Sequence, residues 1–263
     1  MSLGNTEKDY VLSVALVKLA ELPESKKMVF KGGTCLKKAH FPDYRFSADL
    51  DFTGSEDVKA RLKGTITRLF QEGEIEGVKF LKVLDRTQKV GRRLNLAIQY
   101  SSRVAASAGR EHVDSIRMDC NFEGGVFTKP NIKRLAFPKE YGLGEPVLPV
   151  MQLKEIMSEN IHAVYRRPKP RDLYDVWFLL KKEVELDVRL VNEKLKALNK
   201  KFDPITFQER LALLRQKWDR DMGGLMSAYP NFNEVEKEVV GMIQGRTKNV
   251  QFPERKIAMG VLN

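Results

Sequence analysis

The feature that most constrains this chain is a pair of aspartates one residue apart, Asp49 and Asp51, inside an apolar segment. Alternate side chains of a β-strand share a face, so a strand here points both carboxylates one way and Leu50 and Phe52 the other. Two like charges held close together are costly without a positive charge between them. The pair therefore predicts a buried strand whose polar face binds a cation, and a divalent metal with oxygen ligands such as Mg²⁺ is the usual one.

A glycine-rich turn precedes this strand in the sequence FKGGTCLKK, where Gly32, Gly33 and Thr34 follow an apolar run. We expect a strand at residues 28–30 to enter the turn and a helix to begin at the glycines. Glycines let backbone N–H groups approach a phosphate, and helix N-termini attract anions. Glycines beside paired carboxylates therefore indicate metal-assisted chemistry on a nucleotide. The structural alternatives are an ordinary turn and, for the acids, a solvated edge strand or a salt bridge to Arg45.

Positive charge is in excess, with 46 lysines and arginines against 35 aspartates and glutamates and a net charge of +11. An excess of this size favours polyanionic partners such as nucleic acid, although some basic proteins are simply soluble. Basic residues cluster in the segments 86–93 and 166–171 and around the glycines and the acidic pair. This last group consists of Lys31, Lys37, Lys38 and Arg45. Positive charge at the predicted site indicates phosphate handling.

The composition is typical of a soluble globular protein, since 42% of the 263 residues are hydrophobic and 31% are charged. No apolar run approaches the roughly 18–20 residues that span a bilayer, and no signal-peptide pattern opens the chain. We therefore expect a cytoplasmic protein with no membrane partner. The cysteines Cys35 and Cys120 fit no disulfide framework, and His40, His112 and His162 have no metal-ligand spacing.

Hydrophobic periodicity predicts a mixed α/β half followed by a helical half. Helix patterns cover residues 6–22 and 56–72, and strand patterns cover residues 28–30, 49–52, 79–85, 94–102 and 116–122. The last of these strands carries a third acid, Asp119, on the face opposite to Met118 and Cys120.

Glycines and prolines are dense in residues 123–150, which predicts an irregular connection that ends a domain. Beyond it, helix patterns cover residues 153–167, 171–183, 189–200, 206–219 and 232–244. We therefore predict an α+β fold with a core domain over residues 1–150 and a helical C-terminal domain over residues 151–263.

Three blocks in this order resemble the AbiEii/AbiGii toxin family, nucleotidyltransferase-like proteins in the DNA polymerase β-type superfamily. The blocks are FKGGTCLKK with RFSADLDF, the strand that carries Asp119, and RPKPRDLYDVWFLL, and they cover roughly residues 25–185. The resemblance implies a nucleotidyltransferase core, in which helices pack on a small mixed sheet. It also implies that the helical C-terminal region completes the active-site cleft.

The resemblance further implies a reaction, in which a nucleoside monophosphate is transferred from an NTP with Mg²⁺ or Mn²⁺ as the cofactor. The acceptor in characterised members is RNA, notably tRNA, and such toxins are paired with a separately encoded antitoxin. Carried over to this chain, Gly32–Thr34 match the motif that holds the triphosphate. Asp49 and Asp51 match the metal-binding pair. Asp119 matches the third metal-binding acid, which would also help to activate the acceptor hydroxyl.

The remaining matches are polar residues near these blocks. Arg45 and Ser47 match the polar positions just before the acidic pair, and Asp172 and Asp175 match the aspartates of the RDLYD block. We expect the basic residues of these segments to hold phosphates or the acceptor backbone. They are Lys31, Lys37, Lys38, Lys169 and Arg171.

One position departs from the family pattern. Asn160 stands in the stretch SENI, where family members often carry a lysine in a pattern like AEKL. An amide can form hydrogen bonds to a phosphate but cannot neutralise its charge, so Lys154, Lys169 or Arg171 would have to substitute.

Three functions therefore stay open at the level of sequence. The first is nucleotidyl transfer to RNA by a toxin, and the second is the same chemistry on a small molecule, which does not need a net charge of +11. The third is a catalytically weak protein that binds nucleic acid or a partner and has kept the fold. Asn160 favours the third function, whereas the intact set of Asp49, Asp51 and Asp119 speaks against it.

Overall fold

The structure is a computed structural model that describes residues 2–88, 92–107 and 113–248, without the side chains of residues 105 and 106. His112 and the central part of the basic segment 86–93 lie outside the described residues. Contacts divide the chain into two compact units. The first comprises the described residues up to Ile156 together with Arg220–Tyr229, and the second comprises Met157–Asp219 and the described residues from Pro230 onward. The predicted division at residue 150 stays a prediction.

One mixed sheet organises the first unit. Its strands, within the described residues, are β1 Met28–Lys31, β2 Asp49–Gly54, β3 Gly73–Ile75, β4 Val78–Asp85, β5 Arg93–Ser101, β6 Val113–Asn121, β7 Asn131–Arg134 and β8 Val147–Val150. They are ordered β3-β4-β5-β6-β2-β1-β8-β7. β2 is parallel to β6 and antiparallel to β1, and β1 is parallel to β8. The acidic pair therefore lies on an interior strand, which excludes the alternative of a solvated edge strand.

Most helices follow the predicted order along the chain. The helices are α1 Leu3–Glu21, α2 Gly32–Cys35, α3 Glu56–Phe70, α4 Arg103–Ser107, α5 Leu153–Arg166, α6 Pro170–Lys181, α7 Val188–Leu195, α8 Pro204–Ala212, α9 Trp218–Gly223 and α10 Phe232–Thr247. Helix α4 was not predicted, and the predicted helix over residues 206–219 is divided into α8 and α9. The predicted helix after the glycine turn is confirmed, because α2 begins at Gly32 and continues as a π-helical turn, Leu36–His40. No helix in the described part of the chain is long and apolar enough to cross a membrane.

The core of the first unit lies on the apolar face of the sheet. Leu50 and Phe52 of β2 are fully buried there, and α3 packs its Phe70 ring against Phe80 of β4 with centroids 4.9 Å apart. Cys120 is buried on the same face, and burial raises the pKa of its thiol to about 12, so the thiolate needed to bind a metal is scarce at neutral pH. The polar face of β2, β6 and β5, which we call the site face, carries the acids.

The prediction of an irregular connection over residues 123–150 is wrong for two segments, since β7 and β8 extend the sheet there. Both strands have only four residues, and Pro149 lies within β8 opposite Ile132. A proline removes one donor from the ladder of hydrogen bonds and usually argues against an interior strand, which is why the segment looked irregular.

A buried ionic cluster joins α1 to the segment after the glycine turn. Asp9 is 1% exposed and accepts hydrogen bonds from Lys38 Nζ at 2.6 Å and from the Tyr141 hydroxyl at 3.0 Å. Lys37 Nζ lies 3.3 Å from the other oxygen of Asp9. Burial alone would raise the pKa of Asp9, but the two lysines and Tyr141 outweigh it and hold the pKa below its usual value. The expectation that Lys38 holds a phosphate is wrong, because its ammonium is buried against Asp9.

We expect Asp9→Asn to lower the free energy of unfolding by about 3–5 kcal/mol, because it leaves a buried lysine without its counter-charge. Urea denaturation of both proteins measures the loss. Asp57→Asn is the matched control, since Asp57 pairs with Lys27 on an exposed surface and its removal should cost only a small part of that loss. Equal losses in the two variants would contradict the importance of the buried cluster.

Candidate active site

The structure confirms the two faces of β2. Asp49 and Asp51 are half-buried on the site face, and the apolar residues between and after them are fully buried on the other. In the parallel register of β2 with β6, Asp51 lies opposite Asp119. Adjacent strands lie about 4.8 Å apart, so this register brings two carboxylates side by side on one face.

Two further polar residues extend this row across neighbouring strands. Lys31 of β1 lies opposite Asp51, and Asn95 of β5 lies opposite Asp119. Residues directly opposite each other in a ladder share a face, so an ammonium and an amide flank the two carboxylates. The place of Asn95 in this row was not predicted, because alternation along the sequence does not show that β5 pairs with β6 in this register.

A cation already contacts the other member of the acidic pair. Arg117 of β6 lies opposite Asp49 and donates two hydrogen bonds to its carboxylate, from Nε to Oδ1 at 2.9 Å and from Nη2 to Oδ2 at 3.2 Å. The side chain of Arg117 is 70% exposed, whereas that of Asp49 is 15% exposed. Arg45 was the salt-bridge partner that the sequence suggested as an alternative, and the contact with Arg117 was not predicted. Part of the positive charge that the acids require is therefore supplied by the protein itself.

The glycine turn lies against these residues. Gly32 has a φ of +74°, and a Cβ built on it would lie 2.6 Å from Oδ2 of Asp51. A Cβ on Gly33 would lie 2.9 Å from Oγ of Ser47 and 3.0 Å from Nη2 of Arg45. Real Cβ atoms essentially never show approaches below 3.0 Å, so any larger residue at Gly32 or Gly33 would displace the side chains that it meets. The structure thus brings together the turn, the polar positions before β2 and the acidic pair.

Two hydrogen bonds fix the turn and the entry to β2. The hydroxyl of Thr34 is buried and donates to the carbonyl oxygen of Asp49 at 2.6 Å, so its observed partner is the backbone of β2. The amide of Phe46 donates to the carbonyl oxygen of Leu225 at 3.3 Å, in the segment Arg220–Tyr229 that returns to the first unit. Binding of the triphosphate by Thr34 stays a prediction.

The RDLYD block lies in the second unit. α6 begins directly after Lys169, and its residues Asp172 and Asp175 are buried. Asp172 is in the first turn, where an acid interacts favourably with the helix dipole, and its Oδ2 lies 3.8 Å from Nη1 of Arg167. A structural role for Asp172 therefore has support.

The other predicted residues of the second unit differ in exposure. Asn160 is half-buried on α5, Arg171 is half-buried on α6, and Lys169 is exposed just before it. Their part in binding a nucleotide or an acceptor stays a prediction, as does that of the two aspartates of α6.

No group of three or more His, Cys, Asp or Glu side chains in residues 2–88, 92–107 and 113–248 is arranged to hold a metal ion. The carboxylates of the site face nevertheless have the chemistry of a hard-cation site. Asp51 and Asp119 lie opposite each other in the ladder. Asp49 lies on the same face of β2, two residues before Asp51. Carboxylate oxygens are the ligands that Mg²⁺ prefers, so this donor set fits the metal that the sequence predicts.

Comparison with known proteins identifies the family. A sequence model described as nucleotidyl transferase AbiEii toxin, type IV toxin–antitoxin system, matches residues 14–238. The chain therefore belongs to the AbiEii nucleotidyltransferase toxin family, which confirms the resemblance of the three sequence blocks. No curated protein matched the chain.

A solved structure confirms the fold. The chain is similar to MenT4, a nucleotidyltransferase toxin from Mycobacterium tuberculosis H37Rv, with a TM-score of 0.66 and 22% sequence identity. The match covers 92% of this chain and 82% of that one. At this identity the likeness shows the fold alone, and it confirms the predicted mixed α/β class with a nucleotidyltransferase-like sheet.

We expect Gly32→Ala to weaken the binding of Mn²⁺, used as a probe for Mg²⁺, by about 10–100-fold, the usual effect of disturbing a partner of a metal ligand. The added Cβ must displace the carboxylate of Asp51. Gly77→Ala is the matched control, because Gly77 has a similar φ of +71° but nothing within 4 Å of its Cβ position. Both variants should lose about 1–2 kcal/mol of stability from the left-handed backbone conformation, and Gly32→Ala should lose more because of the contact with Asp51. Equal Mn²⁺ affinity in the two variants would contradict this role of Gly32.

Proposed function

We propose that this protein is a metal-dependent nucleotidyltransferase that transfers a nucleoside monophosphate from an NTP to an RNA acceptor, as the toxin of a toxin–antitoxin pair. Membership of the family supports nucleotidyl transfer and an antitoxin partner. The observation that carries the proposal is the register that sets Asp51 beside Asp119, next to a glycine turn that approaches Asp51.

Asp51 and Asp119, with Asp49 beside them, would hold Mg²⁺ or Mn²⁺. When bound, such a metal neutralises the charge of the triphosphate and favours in-line displacement at the α-phosphorus. The backbone N–H groups of Gly32 and Gly33 would bind phosphate oxygens.

The remaining chemistry is proton handling and positioning. Asp119 would orient the acceptor hydroxyl and favour its deprotonation, so that the hydroxyl oxygen bonds to the α-phosphorus. The bond from that phosphorus to the bridging oxygen breaks, and pyrophosphate leaves. Lys31 and Arg45 lie near enough to the turn and the acids to offset the charge on the phosphates. Positioning and electrostatics of this kind supply most of the rate in such transfers.

Positive charge on and beside the site face supports RNA as the acceptor. Arg117 of β6 and Arg93 of β5 flank the row of Asp51 and Asp119, and the exposed Lys82 of β4 lies further out, opposite Gln99. Lysine and arginine side chains bind nucleic-acid phosphates and release counterions, which makes such binding steeply dependent on salt. A small acceptor would not need this extended surface.

Incubation with each α-labelled NTP, Mg²⁺ and total RNA tests the proposal. We expect label to enter RNA of tRNA size with the wild type, and the Asp49→Ala/Asp51→Ala double variant to lose transfer by orders of magnitude. Asp85→Ala is the matched control, since Asp85 is a strand acid bound to Lys63 and lies away from the site face. Its activity should equal that of the wild type.

Other results would redirect the proposal. Transfer to a small molecule but not to RNA would overturn the acceptor and keep the reaction. No transfer at all by the folded protein with metal would favour a binding protein whose site is weakened at Asn160. In that case we would expect Asn160→Lys to restore transfer if the missing charge is the cause.

We expect Lys82→Ala and Arg93→Ala each to reduce the salt dependence of RNA binding. Loss of one phosphate contact should reduce the slope of log K against log salt by about 0.7–0.9. A titration of labelled RNA at several salt concentrations measures it. Lys63→Ala is the control, because Lys63 lies on α3 and pairs with Asp85 at 2.8 Å. A reduction as large in this variant would show that net charge alone, and no particular surface, determines binding.

A further inference from the structure

We propose that Arg117 sets the metal affinity of the site by competing with the divalent cation for the carboxylate of Asp49. This inference rests on the proposed function, because the cation in question is the one that the transfer reaction requires. Arg117 would be a positioning residue, which acts on the reaction through Asp49.

The contact between the two side chains uses both oxygens of the carboxylate. Nε and Nη2 of Arg117 donate to Oδ1 and Oδ2 of Asp49 at 2.9 and 3.2 Å, the paired geometry in which arginine binds carboxylates most strongly. The backbone fixes the arrangement, because Asp49 and Arg117 are direct partners in the parallel ladder of β2 and β6. The guanidinium therefore occupies the oxygens that a metal at the acidic pair would use.

A carboxylate has more than two lone pairs, so the metal and the guanidinium could in principle share it. Sharing would still place a divalent cation within a few ångströms of a guanidinium, and like charges at that distance repel. If Arg117 leaves Asp49, its ion pair is lost, and if it stays, it repels the metal. In both cases metal binding is less favourable than it would be without Arg117. Competition therefore follows from both arrangements.

Arg117 can leave Asp49 at little cost, because its side chain is exposed. Its side chain is 70% exposed, so the guanidinium can turn into solvent without breaking the packed core. Arg117 is exposed although Asp49 is only 15% exposed, so we expect the pair to be of modest strength and its removal to tighten metal binding by about two- to fivefold. The expected effect is therefore modest and opposite in sign to that of a ligand variant.

The test is a titration of the full chain with Mn²⁺ and no nucleotide, in which the electron paramagnetic resonance signal of free Mn²⁺ reports binding. We expect Arg117→Ala to bind Mn²⁺ about two- to fivefold more tightly than the wild type. Arg117→Lys keeps the charge but loses the paired hydrogen bonds, and should fall between the two. Thermal unfolding of each variant verifies that it is folded.

Arg93→Ala is the matched control. Arg93 lies on the same face of the sheet, opposite Asn121, and its loss also removes one positive charge near the acids. Its Mn²⁺ affinity should stay closer to that of the wild type. An equal gain in Arg93→Ala would mean that general electrostatics, and not the contact with Asp49, determines the affinity, which would overturn the inference.

Failure of this inference and failure of the proposed function give different results. If the wild type binds Mn²⁺, Asp49→Ala/Asp51→Ala abolishes binding and Arg117→Ala binds no more tightly, then only the role of Arg117 is overturned. If the wild type and the double aspartate variant bind Mn²⁺ equally, then the acids hold no metal. That result overturns the proposed metal site and this inference with it.

Discussion

The parallel pairing of β2 with β6 is the constraint on which the site depends. Its register sets Asp51 beside Asp119 and Asp49 beside Arg117, so one strand pair fixes the carboxylate neighbours and the cation. The two strands are separated in sequence by α3, β3, β4, β5 and α4, and in the sheet β6 lies between β5 and β2. Because side chains alternate along a strand, a shift of one residue would turn Asp119 into the core and Met118 onto the site face.

The site also depends on the close approach of the glycine turn to the acids of β2. The turn at Gly32 lies so near Asp51 that a single added carbon would contact its carboxylate at 2.6 Å. The hydroxyl of Thr34 then joins the turn to the backbone of β2, and Phe46 is bound by the returning segment at Leu225. These contacts hold the N–H groups proposed to bind phosphate and the carboxylates proposed to bind a metal close to one another, as binding of a single ligand by both would require.

Features that depend on neighbouring residues in the chain were predictable from the sequence. Alternation placed Asp49, Asp51 and Asp119 on the polar face of their strands, and the glycines marked the start of a helix. Pairing partners were not predictable, because Arg117 and Asn95 owe their positions to ladders between distant segments. β8 was not predicted for a different reason: it has only four residues, and Pro149 within it is typical of an irregular segment. The burial of Lys38 was also missed, because its partner Asp9 lies on a helix that precedes it by nearly thirty residues.

Charge balance explains how a site built from acids can fold before any ligand binds. Asp49 is paired with Arg117, and Asp51 lies opposite Lys31, so cations of the chain itself offset two of the three carboxylates. Acids close together therefore do not by themselves prove a resident metal, because an ion pair within the chain also balances their charge. The difference between the two cations matters, because the exposed Arg117 can leave Asp49, whereas Lys31 sits between strand and turn. In the proposed site, the ion pair with Arg117 would balance Asp49 until a metal took its place.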